Sequence, residues 1–178
     1  MFFKKSPQQP VRGIIRTYEV PFETEEEFRC WWHRFTPREK GRLLVYETHN
    51  LITQLGLNNI NAYYAATGSI PGFALYFAVG ANPISGVLIG DTSLAGEVFR
   101  KVPTSSTIVN NVITNSTYFG PTEGGHSGTN PVTYTNAGLF GNGATSTSGS
   151  GQLNTHAPYA YTKPYNQAIT NDYPITRT

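Results

Sequence analysis

The side chains in this sequence that most often bind metal or act as nucleophile and base are few and scattered: His33, His49, His126, His156 and Cys30. They form no two-plus-two pattern of a structural zinc site. Glu123-Gly124-Gly125-His126 sets one carboxylate and one imidazole on a loop. Two groups fall short of a metal site unless symmetry gathers one His126 from each of several subunits around an axis. The acids beyond residue 50 are Asp91, Glu97, Glu123 and Asp172, too dispersed to nominate a nucleophile with its base or a working pair of carboxylates. Glu97 and Arg100, three apart, suit a local ion pair. Gly138-Leu139-Phe140-Gly141-Asn142-Gly143 is glycine-rich but lacks the Lys-Ser/Thr ending of a phosphate loop and the strand–glycine–helix setting of a dinucleotide fold. The residues thus nominate no catalytic group, cofactor site or metal ligand, and the expectation is a protein that is not an enzyme.

Aromatic side chains offer a different chemistry, that of contact. Phe28, Trp31, Trp32 and Phe35 recur at spacings of three, four and seven, which lays a broad stripe along one face of a helix. They are the candidates for docking on a partner; the alternative is packing within the same chain, with Cys30 buried beside them. Tyr159, Tyr161 and Tyr165, with Tyr173, stand among Asn and Thr. Such rings suit stacking on a host-surface glycan, and equally packing between subunits, where tyrosine is enriched.

Charge is unevenly spread. Residues 1–50 hold 16 of the charged side chains and residues 51–178 only eight, four of each sign. Soluble monomers usually carry both signs over the whole surface, so the charge-poor part suggests polar, uncharged faces made to be covered. A net charge of +2, with acids interleaved among the bases, speaks against nucleic acid as the principal partner. Lys4, Lys5 and Arg12 suit an acidic neighbour better. No apolar run approaches the ~18 residues of a membrane span, and the start of the sequence lacks the pattern of a secretory signal.

The elements that position these residues follow from local chemistry. Pro7 and Pro10 make residues 1–12 an extended arm. Residues 13–21 alternate as a strand. Thr24 caps a helix with Glu25, Glu26 and Glu27 in its first turn, and Thr36-Pro37 ends it. Residues 42–49 read as a strand, and a second helix, capped by Asn50 or Thr53, carries Leu55, Leu57, Ile60, Tyr63 and Tyr64 on one side to Gly68. The apolar run 73–80 reads as a central strand, residues 92–98 as a helical turn, and 104–119 as a hairpin turning at Asn110-Asn111. Residues 132–140 form an interrupted strand. Residues 120–130 and 141–151 read as exposed, mobile loops, while Pro158, Pro164 and Pro174 confine residues 152–178 to edge strands or extended chain.

Four pieces also carry a family resemblance: Asn50-Leu51-Ile52-Thr53 with Gly56-Leu57 and Ile60; Phe77-Ala78-Val79-Gly80; the run from Asp91 to Arg100; and Asn136-Ala137-Gly138-Leu139-Phe140. In order and separation they resemble structural proteins of tailed bacteriophages, of the tail-fibre or tail-appendage kind, over about half the chain. Members commonly carry an acid where this chain has Asn136, and a long apolar last strand where it has Pro174-Ile175-Thr176-Arg177-Thr178. The resemblance implies an oligomeric virion component with no catalytic residues. The expected architecture is mainly β: an antiparallel β-sandwich with two short α-helices and an extended N-terminal arm. Residues 1–49 would form the arm and aromatic helix that attach to the virion, and residues 50–178 the β-rich appendage domain. The expected partners are further copies in a trimer or larger ring, other virion proteins, and a host-surface glycan in the alternative reading as a receptor-binding module or capsid decoration.

Overall fold

A computed structural model describes residues 12–64, 74–109 and 112–176. The expected arm, the Gly68 helix end and the Asn110-Asn111 turn lie outside the described residues. Nine strands form one antiparallel sheet: β1 (Arg12–Glu19), β2 (Leu44–Ile52), β3 (Tyr76–Gly80), β4 (Glu97–Lys101), β5 (Ser105–Val109), β6 (Val112–Phe119), β7 (Val132–Gly141), β8 (Gln152–Lys163) and β9 (Ile169–Thr176). Their spatial order is β4-β3-β7-β8-β2-β1-β9-β6-β5.

The two edge strands, β4 and β5, are consecutive in the chain and joined by only Val102-Pro103-Thr104. Four residue steps span at most about 14 Å, whereas a flat sheet of nine strands would hold its edges about 38 Å apart. The sheet therefore curls until its edges approach each other. Side chains from distant strands then meet: Phe99 on β4 and Phe77 on β3 lie 4.9 and 6.0 Å, ring to ring, from Phe119 on β6. The mainly β expectation stands. The sandwich becomes a single curled sheet, because the short link joins its edges.

The inner face holds Ile15, Phe77, Val79, Phe119, Leu139, Ala157 and Ile169 with Tyr134, Tyr159 and Tyr173. On the outer face, Tyr18, Val20, Tyr118 and Ala168 are covered by a helical module, while Ala78, Phe140 and Leu153 pack with Leu94. The module comprises α1 (Glu25–Trp31), a 3-10 turn (Trp32–Arg34) and α2 (Pro37–Leu43). Sequence reading ended the helix at Thr36-Pro37. The structure starts another there, because Thr36 caps it reciprocally with Glu39 and Pro37 fits the first turn. With α3 (Gln54–Tyr64) the described residues hold three α-helices.

Other expectations shift for definable reasons. Residues 92–98 form no helical turn. A bulge at Val98, between the pairs Val79↔Phe99 and Gly80↔Glu97, turns Glu97 toward Arg100, and the expected ion pair forms with both side chains buried, Arg100 Nη2 lying 2.7 Å from Glu97 Oε2. The 142–151 loop is pinned to that pair: Arg100 Nη1 donates to the carbonyls of Thr145 and Ser150 at 3.1 and 3.0 Å. The proline-bearing C-terminal strands are central. Pro158 sits at the register shift of β7 and β8, and Pro174 lies past the last residue pair of β9 with β1. β1 lies between β2 and β9, so strands from residues 12–52 and from the C-terminal part are neighbours in one sheet.

Asn136 is fully buried and bridges one residue in both senses. It accepts from Ala95 N and donates to Ala95 O, each at 3.1 Å. A carboxylate could only accept.

The start of α3 docks on the bulge at Asn154, which separates Leu139↔Thr155 from Phe140↔Leu153. Thr53 N donates to the Asn154 carbonyl at 2.9 Å, and Thr53 Oγ1 accepts from Gly56 N. A Cβ on Gly56 would overlap that same carbonyl oxygen. Gly56→Ala should therefore cost about 1–3 kcal/mol, read as a lower denaturation midpoint in urea at unchanged slope.

Candidate docking surface

The structure divides the aromatic stripe in two. Thr24 Oγ1 accepts from Glu27 N at 3.2 Å while Glu27 Oε2 accepts from the backbone of Glu23 and Thr24. This fixes the rotation of α1 on the sheet. Phe28 and Trp32 turn inward: Phe28 stacks on Tyr118 at 5.2 Å and on Trp32 at 5.7 Å, and Trp32 meets the edge of Tyr18 at 5.2 Å. Trp32 Nε1 also donates to Asp172 Oδ1 at 3.3 Å. These two rings are core and are unavailable to a partner, which corrects half of the expected docking set.

Trp31 and Phe35 remain. Trp31 is 51 % exposed, and the two rings line an open depression of about 340 Å³ with Pro21, Phe22 and Glu27. The guanidinium of Arg34 lies 4.7 Å from the Trp31 ring centre. Glu23 and Glu26 are exposed nearby in sequence. Glu25 pairs with Arg29 and Lys101, but among the described residues Glu23, Glu26 and Glu27 have no cationic partner within 4.0 Å. The result is an aromatic hollow in an acidic setting. Cys30, expected inside, is exposed because the helix turns Phe28 and Trp32 to the sheet instead.

A second hollow, of about 180 Å³, lies between this module and β5, β6 and β9. Asp172 stands in its wall, and burial raises its carboxyl above the usual range despite hydrogen bonds from Ser116 and Trp32 and the nearby Lys40 charge. Lys40 Nζ sits 4.1 Å from the centre of the Trp32 ring. These contacts fasten the helical module to β9.

The free edges differ. Beside β4, Lys101 Nζ meets Glu123 Oε2 at 2.6 Å, and Gly125, at φ +83°, comes so close to the Val98 carbonyl that no side chain fits. β5 carries no charge, pairs among the described residues with β6 alone, and leaves Ile108 and Val109 70 % and 66 % exposed. Edges of this kind invite another strand.

The tyrosines do not form a shared platform. Tyr159 is fully buried, its hydroxyl 2.6 Å from Thr17 Oγ1 and 2.7 Å from Asn171 Oδ1, so it contacts neither glycan nor subunit; Tyr173 is buried too. Tyr161 is half-buried and donates to Glu19 at 3.2 Å. Tyr165, also half-buried, lies edge-on to His126 at 5.5 Å.

Sequence missed two polar contacts whose partners are far apart along the chain. His156 Nδ1 meets Asp91 Oδ2 at 2.6 Å, and Nε2 is buried with no hydrogen-bond partner among the described residues. His126 Nδ1 donates to Asn130 O at 2.7 Å, which leaves Nε2 to accept from Lys163 Nζ at 3.2 Å. An ammonium thus occupies the direction in which His126 would bind a metal. Among the described residues no three His, Cys, Asp or Glu side chains gather as metal ligands, and no helix is long and apolar enough to cross a membrane. Comparison of the chain with protein-family models, with curated proteins and with solved structures finds no match.

Truncation separates the two halves of the stripe. Phe28→Ala should cost on the order of 3–5 kcal/mol, whereas Trp31→Ala should stay within about 0.5 kcal/mol, both read from thermal unfolding. Desolvation lowers the Lys163 ammonium to about 8 from an ordinary 10.5. The unfolded chain then holds the extra proton above pH 8, so this group makes stability rise with pH from about 8 toward 10. Over that window Lys163→Met should flatten the pH dependence of Tm.

Proposed function

We propose that the chain is a structural subunit of a tailed-phage particle, of the tail-appendage kind, that works by being assembled rather than by chemistry on a substrate. The observation that carries the reading is the half-exposed Trp31 hollow. A protein that encloses Phe28 and Trp32 completely in the same short segment leaves Trp31 and part of Phe35 uncovered beside unneutralised glutamates. Exposed aromatic clusters of this kind are contact sites more often than free surface.

Two further features support it. The uncharged β5 edge is suited to pairing with another strand, and the charge-poor sequence beyond residue 50 suits burial in an assembly. The resemblance of residues 50–140 to tail-appendage proteins supplies the class of particle. Proposed partners are further copies of the chain and other virion proteins. The glycan reading loses Tyr159 to the interior and retains only the half-buried Tyr161 and Tyr165.

Mass spectrometry of purified particles, combined with electron-microscopic reconstruction, tests this directly. The chain should appear in a fixed ratio to the other virion proteins, with density for a curled nine-stranded sheet repeated around the tail axis. Particles that mature and infect without containing the chain would overturn the reading.

A further inference from the structure

We propose that the Trp31 hollow binds the Phe2-Phe3-Lys4-Lys5 sequence of a second copy of this chain. The inference rests on the assembly reading and names the contact by which one copy holds the next. Chemistry matches on both counts. The hollow is walled by Pro21, Phe22, Trp31 and Phe35, and the sequence offers two adjacent phenylalanines. Glu27 lines it, Glu23 and Glu26 are exposed close by on the chain, and none of the three has a cationic partner within 4.0 Å among the described residues. Lys4 and Lys5 directly follow the phenylalanines and offer those glutamates ammonium partners, which Arg34, engaged with the Trp31 ring, does not.

Reach selects a second copy over the same one. β1 starts at Arg12, and the hollow begins beyond its other end, at Pro21. The eight residues of β1 cover about 26 Å, and Val20 leads on to Pro21 beyond them. The nine steps from Phe3 to Arg12 span at most about 32 Å, so a chain would reach its own hollow only by a taut run back along β1. A neighbouring copy imposes no such limit.

Such a contact is heterologous, the amino-terminal sequence of one copy on the hollow of the next, and it propagates into a ring or a filament. Light scattering on purified full-length chains tests it. The wild type should associate as concentration rises. The pair Phe2→Ser/Phe3→Ser and the single Trp31→Ala should each weaken association about tenfold or more, as for aromatic anchors at other interfaces. Mixed in equal amounts, these two variants have one working contact between them and should yield pairs and nothing larger. Lys4→Glu/Lys5→Glu should likewise weaken association, and mixing it with Glu23→Lys/Glu26→Lys should restore pairing. Unchanged Tm for Trp31→Ala shows that any loss is not unfolding.

A wild type that stays monomeric, variants that associate as strongly as the wild type, or a mixture that forms no pairs would each overturn the proposal. A chain found in particles but indifferent to these substitutions would overturn this contact while leaving the assembly reading in place. Absence from particles would remove the assembly reading by itself.

Discussion

The link Val102-Pro103-Thr104 constrains the molecule more than any other segment, because it ties the first strand of the spatial order to the last. Nine strands cannot lie flat and also satisfy a three-residue connection between their edges. Curling produces an inside, which fills with Phe77, Phe99, Phe119, Leu139 and a set of tyrosines. It also produces a convex outside, where helices must sit. The placement of the aromatic module follows from the same closure: Lys101, at the end of β4, reaches both Glu25 of α1 and Glu123 of the loop beside β4.

Function, on the proposed reading, lies in what that outside leaves uncovered. A seven-residue α1 cannot turn all four of its nearby aromatics to the sheet, since residues three and four apart share a face while their neighbours do not. Phe28 and Trp32 take the inner positions, and the capping contacts of Thr24 and Glu27 hold them there. Trp31 is left outside by geometry, beside Glu23, Glu26 and Glu27, which have no ion pair among the described residues. The same economy appears at the edges, where β4 is shielded by a loop and β5 has no further strand beside it among the described residues.

Local signals were legible in the sequence, and long-range ones were not. The Thr24 cap with its three glutamates, the alternation of β1, the apolar run of β3 and the pairing of β5 with β6 depend on near neighbours, and each appears where local chemistry places it. The start of α2 was missed although its signal was present, a Thr-Pro followed by Glu39 three residues after the cap; the proline was read as a stop. Bulges at Val98 and Asn154 leave no mark in composition, yet they decide which face Glu97 and Leu153 occupy. The burial of Tyr159 could not be foreseen either, because Thr17, one of its two partners, is contributed by a strand at the other end of the sequence. Nor could the Trp31 hollow be told from the buried half of its stripe without the sheet on which α1 rests.

One feature of the topology bears on how the protein comes into being. β1 and β9 lie side by side in the middle of the sheet, paired from Arg16↔Asp172 to Glu19↔Ile169. During translation β1 emerges early, but this neighbour is made on the order of 150 residues later, roughly 8–30 s at usual elongation rates. Until then β1, already paired with β2, keeps its other edge open where the centre of the sheet will be, and helper proteins have time to engage it. A chain released before β9 is made would leave that edge of β1 open and the sheet unclosed.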